Sequence, residues 1–221
     1  MNNHEDQDLV TLFHGLDTPS VSDAMDKLGL LGQCLGITPL DNYTRVIVGP
    51  AFTVKYAPAS TPPGTVGDYI DDIEPDTVIV LDNGGRENAT VWGDILTTMA
   101  HRRGIAGTVI DGACRDVHLS LSLGYPIFSR SYSVRTGKDR VQVEATNCPV
   151  NIGDARVNAG DLLRGDADGV IVIPKEHEDK VLAIAEEIDA VESRILAAVK
   201  SGMKLAEARR QHGYHQLQTK R

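Results

Sequence analysis

The sequence predicts an α/β domain with a central β/β/α core, a turn-rich β segment and a long C-terminal helix. Three observations carry this expectation. The apolar run Thr77-Val78-Ile79-Val80-Leu81 suits a strand covered on both faces. From Thr90 to Phe128, helical and strand patterns alternate in the rhythm of βαβ units. Apolar residues at helical spacing then fill one stripe of residues 176–200.

Taken in order, Thr18-Pro19-Ser20 opens a capped short helix carrying Val21, Ala24, Met25 and Leu28, and Gly29 ends it. Arg45–Val48 and Ala51–Val54 are β-branched runs interrupted by Gly49-Pro50, so they form two strands or one broken strand. Val66–Ile73 is a short helical stretch leading into the strand Thr77–Leu81. A helix over Thr90–Arg103 precedes the strand Gly107–Ile110, and a second helix over Arg115–Leu123 precedes the strand Ile127-Phe128. Between Val141 and Pro174, short β runs are punctuated by Gly153-Asp154, Gly160-Asp161 and Asp168-Gly169, which predicts a small barrel or second sheet. Glu176–Lys200 forms the long helix, with Val181, Ile184, Ile188, Val191 and Ile195 on its stripe. No linker divides the chain, so residues 1–221 read as one domain, with a core near 15–200 and a C-terminal helix and tail over 201–221.

Composition narrows the function. The 221 residues include 31 acids against 22 bases, a net charge of -9, which disfavours a nucleic-acid partner. The basic patch from Arg209-Arg210 to Lys220-Arg221 reads as a solvated terminus. The acidic, polar start MNNHEDQDLV has no apolar leader, and no run of about 18 apolar residues suggests a membrane span. A cytosolic protein is expected. Cys34, Cys114 and Cys148 form no CxxC pair, which argues against a structural zinc site or disulfide framework.

Ligands of open α/β sheets gather at carboxyl ends of strands. Two such ends stand out: Leu81-Asp82-Asn83-Gly84-Gly85-Arg86 and Asp111-Gly112-Ala113-Cys114-Arg115-Asp116. In the second, Asp116 is either a helix cap answered by Arg115 in a surface ion pair, or a hard oxygen ligand for Mg²⁺ or Mn²⁺ beside an anion-clamping Arg115. Gly93 costs about 1 kcal/mol inside a helix relative to Ala, which suggests that the Thr90–Arg103 helix truly begins near Gly93. The amides of Gly93, Asp94, Ile95 and Leu96 would then face a carboxylate ligand, unless Asp94 is an ordinary first-turn acid favoured by the helix dipole. His212 and His215 sit in the polar tail. His101 and His118 lie on the two helices, where they could approach the site or face solvent.

Asp94, twenty intervening residues and Arg115-Asp116 resemble the D-x20-R-D motif of the pyruvate-specific class II aldolases of the 4-hydroxy-4-methyl-2-oxoglutarate/4-carboxy-4-hydroxy-2-oxoadipate type. These share a swivelling-domain-like fold with the regulator of ribonuclease activity A. Ser22-Asp23-Ala24, residues 49–54, Trp92-Gly93, residues 107–112, Gly160-Asp161 and residues 166–170 look like signatures of the same superfamily, together spanning about residues 15–200.

The resemblance implies that Asp116 binds the metal and that Arg115 contacts the keto oxygen and the enolate. It implies that the amides of residues 93–96 hold the pyruvyl carboxylate of a 2-oxo acid, and that Asp94 orients a proton-carrying water. It further implies a homotrimer or pair of trimers, in which Glu187 or Glu192 of a neighbouring subunit completes the site. The activity implied is cleavage of a 4-hydroxy-2-oxo diacid to pyruvate, with oxaloacetate decarboxylation on the side. The rival is a regulator that binds and inhibits a ribonuclease. Many regulators carry Glu where this chain has Asp94, which favours the enzyme.

Overall fold

A computed structural model describes residues 8–41 and 45–214, so the start of the acidic N-terminus, His215 and the Lys220-Arg221 end of the basic patch lie outside the described residues. The chain opens with α1 (Leu9–His14) and α2 (Thr18–Leu28). The carboxylate of Asp17 caps α2 by accepting from the Ser20 N–H at 2.8 Å, and Gly29 ends it in the left-handed conformation at φ 71°. The cap therefore falls one residue earlier than Thr18.

After β1 (Thr38–Pro39), β2 (Ile47–Pro58) is a single strand that runs through Gly49-Pro50. Its first part pairs with β9 (Leu162–Asp166), its middle with β3 (Val78–Trp92), and its last part with β6 (Val141–Thr146). The strand continues through the Gly-Pro pair because its two ends serve different neighbours. The helical stretch expected over Val66–Ile73 is a 3₁₀ turn, Asp68–Asp72.

The largest correction concerns residues 81–92. The strand beginning at Val78 does not end at Leu81 but reaches Trp92, its register against β4 (Gly107–Cys114) jumping between Asp82, Arg86, Thr90 and Trp92. Leu81–Arg86 is thus an excursion inside a strand and not a strand-end loop. Thr90-Val91-Trp92, β-branched and aromatic, are buried strand residues, so no helix begins at Thr90. Helix α3 runs Asp94–Arg103 with Gly93 as its N-cap, as the glycine's helix cost suggested.

Likewise β4 extends beyond Ile110 to Cys114, so the strand end expected at Asp111 falls immediately before Arg115. Helix α4 (Val117–Leu123) follows with Asp116 as its cap, two residues later than expected, and leads to β5 (Ile127–Tyr132).

The turn-rich segment forms no separate barrel. Its strands β6, β9 and β10 (Gly169–Ile173) join the main sheet, whose order is β1-β5-β4-β3-β2-β9-β10 with β6 also on β2. Only β7 (Val150–Ile152) and β8 (Ala155–Val157) make a second, two-stranded sheet. Strands β2 to β5 are parallel neighbours, and the added strands are antiparallel.

Helix α5 (Glu178–Lys200) starts two residues after Glu176 and buries Val181, Ile188, Val191 and Ile195; α6 (Leu205–Gln211) follows. One apolar cluster joins α3, α4 and the 3₁₀ turn to one region of the sheet, a second lies beneath β7–β8, and a third joins α1, α2 and α5 to β2, β9 and β10. No helix among the described residues is long and apolar enough to cross a membrane.

Candidate active site

The site rests on Trp92. Its ring is 1% exposed and stacks on Tyr125 with centroids 6.2 Å apart. The indole N–H donates to Thr97 Oγ1 at 2.9 Å, and that hydroxyl donates to the Gly93 carbonyl at 2.9 Å. A buried aromatic with a satisfied polar edge fixes where β3 stops and α3 starts. The parallel pairing of Trp92 with Cys114, and the Arg115 N–H donating to the Trp92 carbonyl at 2.9 Å, bring the two strand ends side by side.

This adjacency puts Gly93, Asp94, Arg115 and Asp116 in one place. Asp116 Oδ2 lies 3.3 Å from Arg115 Nε and accepts from the Asp94 amide at 3.2 Å. Gly93 lets Asp116 and Arg115 come close without either having to shift. A β-carbon there would sit 2.8 Å from Asp116 Oδ2 and 3.3 Å from Arg115 Nε. Asp116 itself is left-handed, φ 57°, a conformation that costs most residues about 1–2 kcal/mol and that Asp tolerates comparatively well. That strain turns its carboxylate back across β4 to α3 instead of capping its own helix, α4, in which it makes no side-chain cap. Asp116 thus does cap a helix start, but that of the neighbouring α3.

The expected carboxylate-binding amides are partly occupied. The Asp94 amide serves Asp116, and the Ile95 amide donates to Asp94's own Oδ1 at 2.8 Å. The Ile95 amide is open to another acceptor only when the exposed Asp94 side chain turns aside. Arg115 and Asp116 are 39% and 38% exposed, so both retain faces for a ligand.

The cavity alongside has a volume of about 350 Å³, within the range of small-molecule sites. Gly93, Asp94, Ile95, Leu96 and Arg115 line it; Asp116 is not among the lining residues and meets the site through the Asp94 amide and Arg115. Three groups of lining residues escaped sequence reasoning: Asp68 and Asp71 of the 3₁₀ turn, Met99 of α3, and Thr136-Gly137-Lys138 before β6. Gly137-Lys138-Asp139 signals a turn, but nothing in the sequence says which cavity that turn overlooks.

Glu187 and Glu192 do not reach the cavity of their own chain. Glu187 lies 3.6 Å from Lys27 of α2, and Glu192 is half-buried near Asp17 and Asp23. Burial, and then the charges of Asp23, Asp17 and Asp189, push the Glu192 carboxyl above its ordinary value. His101 and His118 are exposed and outside the lining. Among the described residues, no three His, Cys, Asp or Glu side chains are grouped to hold a metal. Cys34 and Cys114 are buried, their thiols pushed up to about 12 and about 11 by burial, and offer no reactive thiolate.

A family model named RraA-like and described as Aldolase/RraA matches residues 18–172. The chain belongs to this family. Protein DlpA of Legionella pneumophila is 38% identical over 203 residues, covering 90% of this chain and 33% of that protein. The chain thus spans about a third of that relative's length. A Halalkalibacterium halodurans protein named "Putative 4-hydroxy-4-methyl-2-oxoglutarate aldolase" is 38% identical over 183 residues, covering 83% of this chain and 84% of the relative. Among solved structures, an uncharacterized protein from Pseudomonas syringae superposes with a TM-score of 0.85 at 38% identity, over 91% of this chain and 96% of the other. Streptomyces coelicolor RraAS2, described as an unusual member of the RNase ES inhibitor RraA protein family, gives 0.79 at 25% identity, over 87% and 98%. These likenesses agree with the mixed α/β fold and long C-terminal helix expected from the sequence.

Proposed function

We propose that this chain is a divalent-metal-dependent aldolase that cleaves a 4-hydroxy-2-oxo diacid to pyruvate and a second 2-oxo acid, with oxaloacetate decarboxylation as a side activity. The observation that carries the reading is the meeting of Arg115, the Asp94 amide and the Asp116 carboxylate at the edge of a 350 Å³ cavity closed by a helix start. Relatives named for this aldolase activity support it.

The donor set fits Mg²⁺ or Mn²⁺. Both recorded contacts of the Asp116 carboxylate fall on Oδ2, which leaves Oδ1 as a hard oxygen ligand. Mg²⁺ commonly takes one or two carboxylates and fills its remaining positions with water and substrate. When bound, the ion supplies a Lewis acid that draws electrons from the substrate's keto group.

The chain's own residues account for the rest. The free faces of the helix-start amides hold the pyruvyl carboxylate. Arg115 donates to the keto oxygen, where negative charge builds as the C3–C4 bond breaks and its electron pair enters the pyruvyl fragment. The C4 hydroxyl loses its proton, C4 leaves as the carbonyl of the second product, and protonation at C3 completes pyruvate. Asp94, exposed beside Asp116, relays these protons through water.

Among the described residues only Asp116 is offered as a protein ligand, which leaves room for one more carboxylate, and Ile95 in the cavity wall is 81% exposed. Both features suit a trimer or pair of trimers in which Glu187 or Glu192 of a neighbour enters.

A second reading, a ribonuclease-binding regulator, is favoured by the likeness to RraAS2. Exchange of pyruvate methyl protons with deuterated solvent separates the two. The aldolase should catalyse exchange with Mg²⁺, lose it in EDTA, and lose about 100-fold or more in Asp116→Asn. Exchange that survives chelation refutes the metal; none in the wild type hands the site to the regulator reading.

A further inference from the structure

Two kinds of cationic group line the cavity. Arg115 does so with the start of α3 around Gly93. Lys138 does so from the segment Thr136-Gly137-Lys138, which pairs beside Thr90. Lys138 makes no ion pair among the described residues, so its ammonium is available to a ligand.

The backbone that presents Lys138 is firmly held. Both the amide and the hydroxyl of Thr90 donate to the Arg135 carbonyl, at 3.1 Å and 3.0 Å. Gly137 passes so near the Thr90 carbonyl that any β-carbon would collide with it. The Gly137 carbonyl accepts from the amides of Arg140 and Val141, each at 2.9 Å. The Lys138 amide donates to Thr136 Oγ1 at 3.2 Å, and Arg140 Nη1 donates to the carbonyls of Thr136 and Lys138 at 3.2 Å and 3.4 Å. With the backbone already held, only the Lys138 side chain has to be ordered on meeting an anion.

Resting on the aldolase reading, we infer that Lys138 binds the second carboxylate of the substrate and makes the site selective for 2-oxo diacids over 2-oxo monoacids. Asp68 and Asp71 face the same cavity and oppose a second anion. They limit the negative charge tolerated, which suits one carboxylate better than a doubly charged phosphate. The three side chains therefore act on diacid preference with opposite signs.

Calorimetric affinity in Mg²⁺ buffer for 2-oxoglutarate and 2-oxopentanoate, equal in chain length and differing in the terminal carboxylate, tests this. Wild-type protein should favour the diacid. Lys138→Met should cut the affinity ratio about tenfold, the effect of losing one charge-assisted hydrogen bond, and Asp68→Asn with Asp71→Asn should raise it. An unchanged ratio in Lys138→Met, or no diacid preference in the wild type, overturns the inference. Binding of neither acid overturns it together with the aldolase reading, whereas diacid-selective binding without turnover overturns the aldolase reading alone.

Discussion

Two arginine–aspartate pairs at strand ends show how differently the same chemistry can be used. Arg164 and Asp166, at the end of β9, are 2% and 12% exposed and 2.5 Å apart. Every strong donor there is satisfied: Arg164 donates to the Phe13 and Leu16 carbonyls and the Thr18 hydroxyl, while Asp166 also accepts from the amides of Thr18 and Asp168 at 3.0 Å. This pair fastens α1 and α2 to the sheet. Arg115 and Asp116 are 3.3 Å apart, more than a third exposed, and held in place by a strained backbone. A saturated pair has nothing left to offer a ligand; an unsaturated one at a cavity does.

The comparison breaks first at the buried pair, where the largest effect is expected. Arg164→Met leaves Asp166 a buried carboxylate without its cation and should destabilise the fold by about 3–5 kcal/mol, measured by denaturant unfolding. The pH dependence sharpens the test. Burial pushes the Asp166 carboxyl up, but the Thr18 amide, the Arg164 guanidinium and the Asp168 amide outweigh it and hold it below its ordinary value. A depressed carboxylate stabilises above the unfolded value near about 4, and that gain is lost as pH falls through the folded value. Asp166→Asn should therefore flatten the acid limb of the stability curve. An unaltered limb would remove the pair from the account of acid unfolding.

At the open pair the effect should fall on turnover and not on stability. Arg115→Lys keeps a charge but loses the planar fork, so kcat for pyruvate release should drop about 10- to 100-fold while unfolding stays within about 0.5 kcal/mol. A large loss of stability with normal kcat would make Arg115 a second Arg164.

The open pair of this contrast was legible in the sequence, because local signals there agreed with the fold. Gly93 announced the helix start through its helix cost, and Arg115-Asp116 followed an apolar strand. The boundaries failed where pairing overrode pattern. Thr90-Val91-Trp92 lie in a window with helical spacing, yet their pairing with Ala113 and Cys114 keeps them in β3. Lys138 could not be found because its place over the cavity depends on hydrogen bonds between Thr90 and Arg135, 45 residues apart. Arg164 and Asp166 were passed over for a similar reason, since their partners lie up to 151 residues away on α1.

The smallest expected effect concerns Glu192, which lies between the two kinds of pair, half-buried and without a cation recorded beside it. Its carboxyl is raised by burial and then by Asp23, Asp17 and Asp189, so the ionised form is the disfavoured one in the folded chain. A raised carboxyl contributes stability that is complete below the unfolded value near about 4.3 and is lost as pH rises through the folded value. Glu192→Gln should hence stabilise the fold near neutral pH by a few tenths of a kcal/mol, since water screens much of the repulsion, and the difference should vanish toward pH 4. Glu187, exposed and close to Lys27, gives the control: Glu187→Gln should change stability at neutral pH by no more than about 0.5 kcal/mol. If Glu192 also enters a neighbour's site, the Gln variant gains stability and loses metal affinity together, a trade that Mg²⁺ titration of the assembled protein reads directly. Gained stability with undiminished metal affinity would exclude Glu192 from the shared site and leave Glu187 as the candidate.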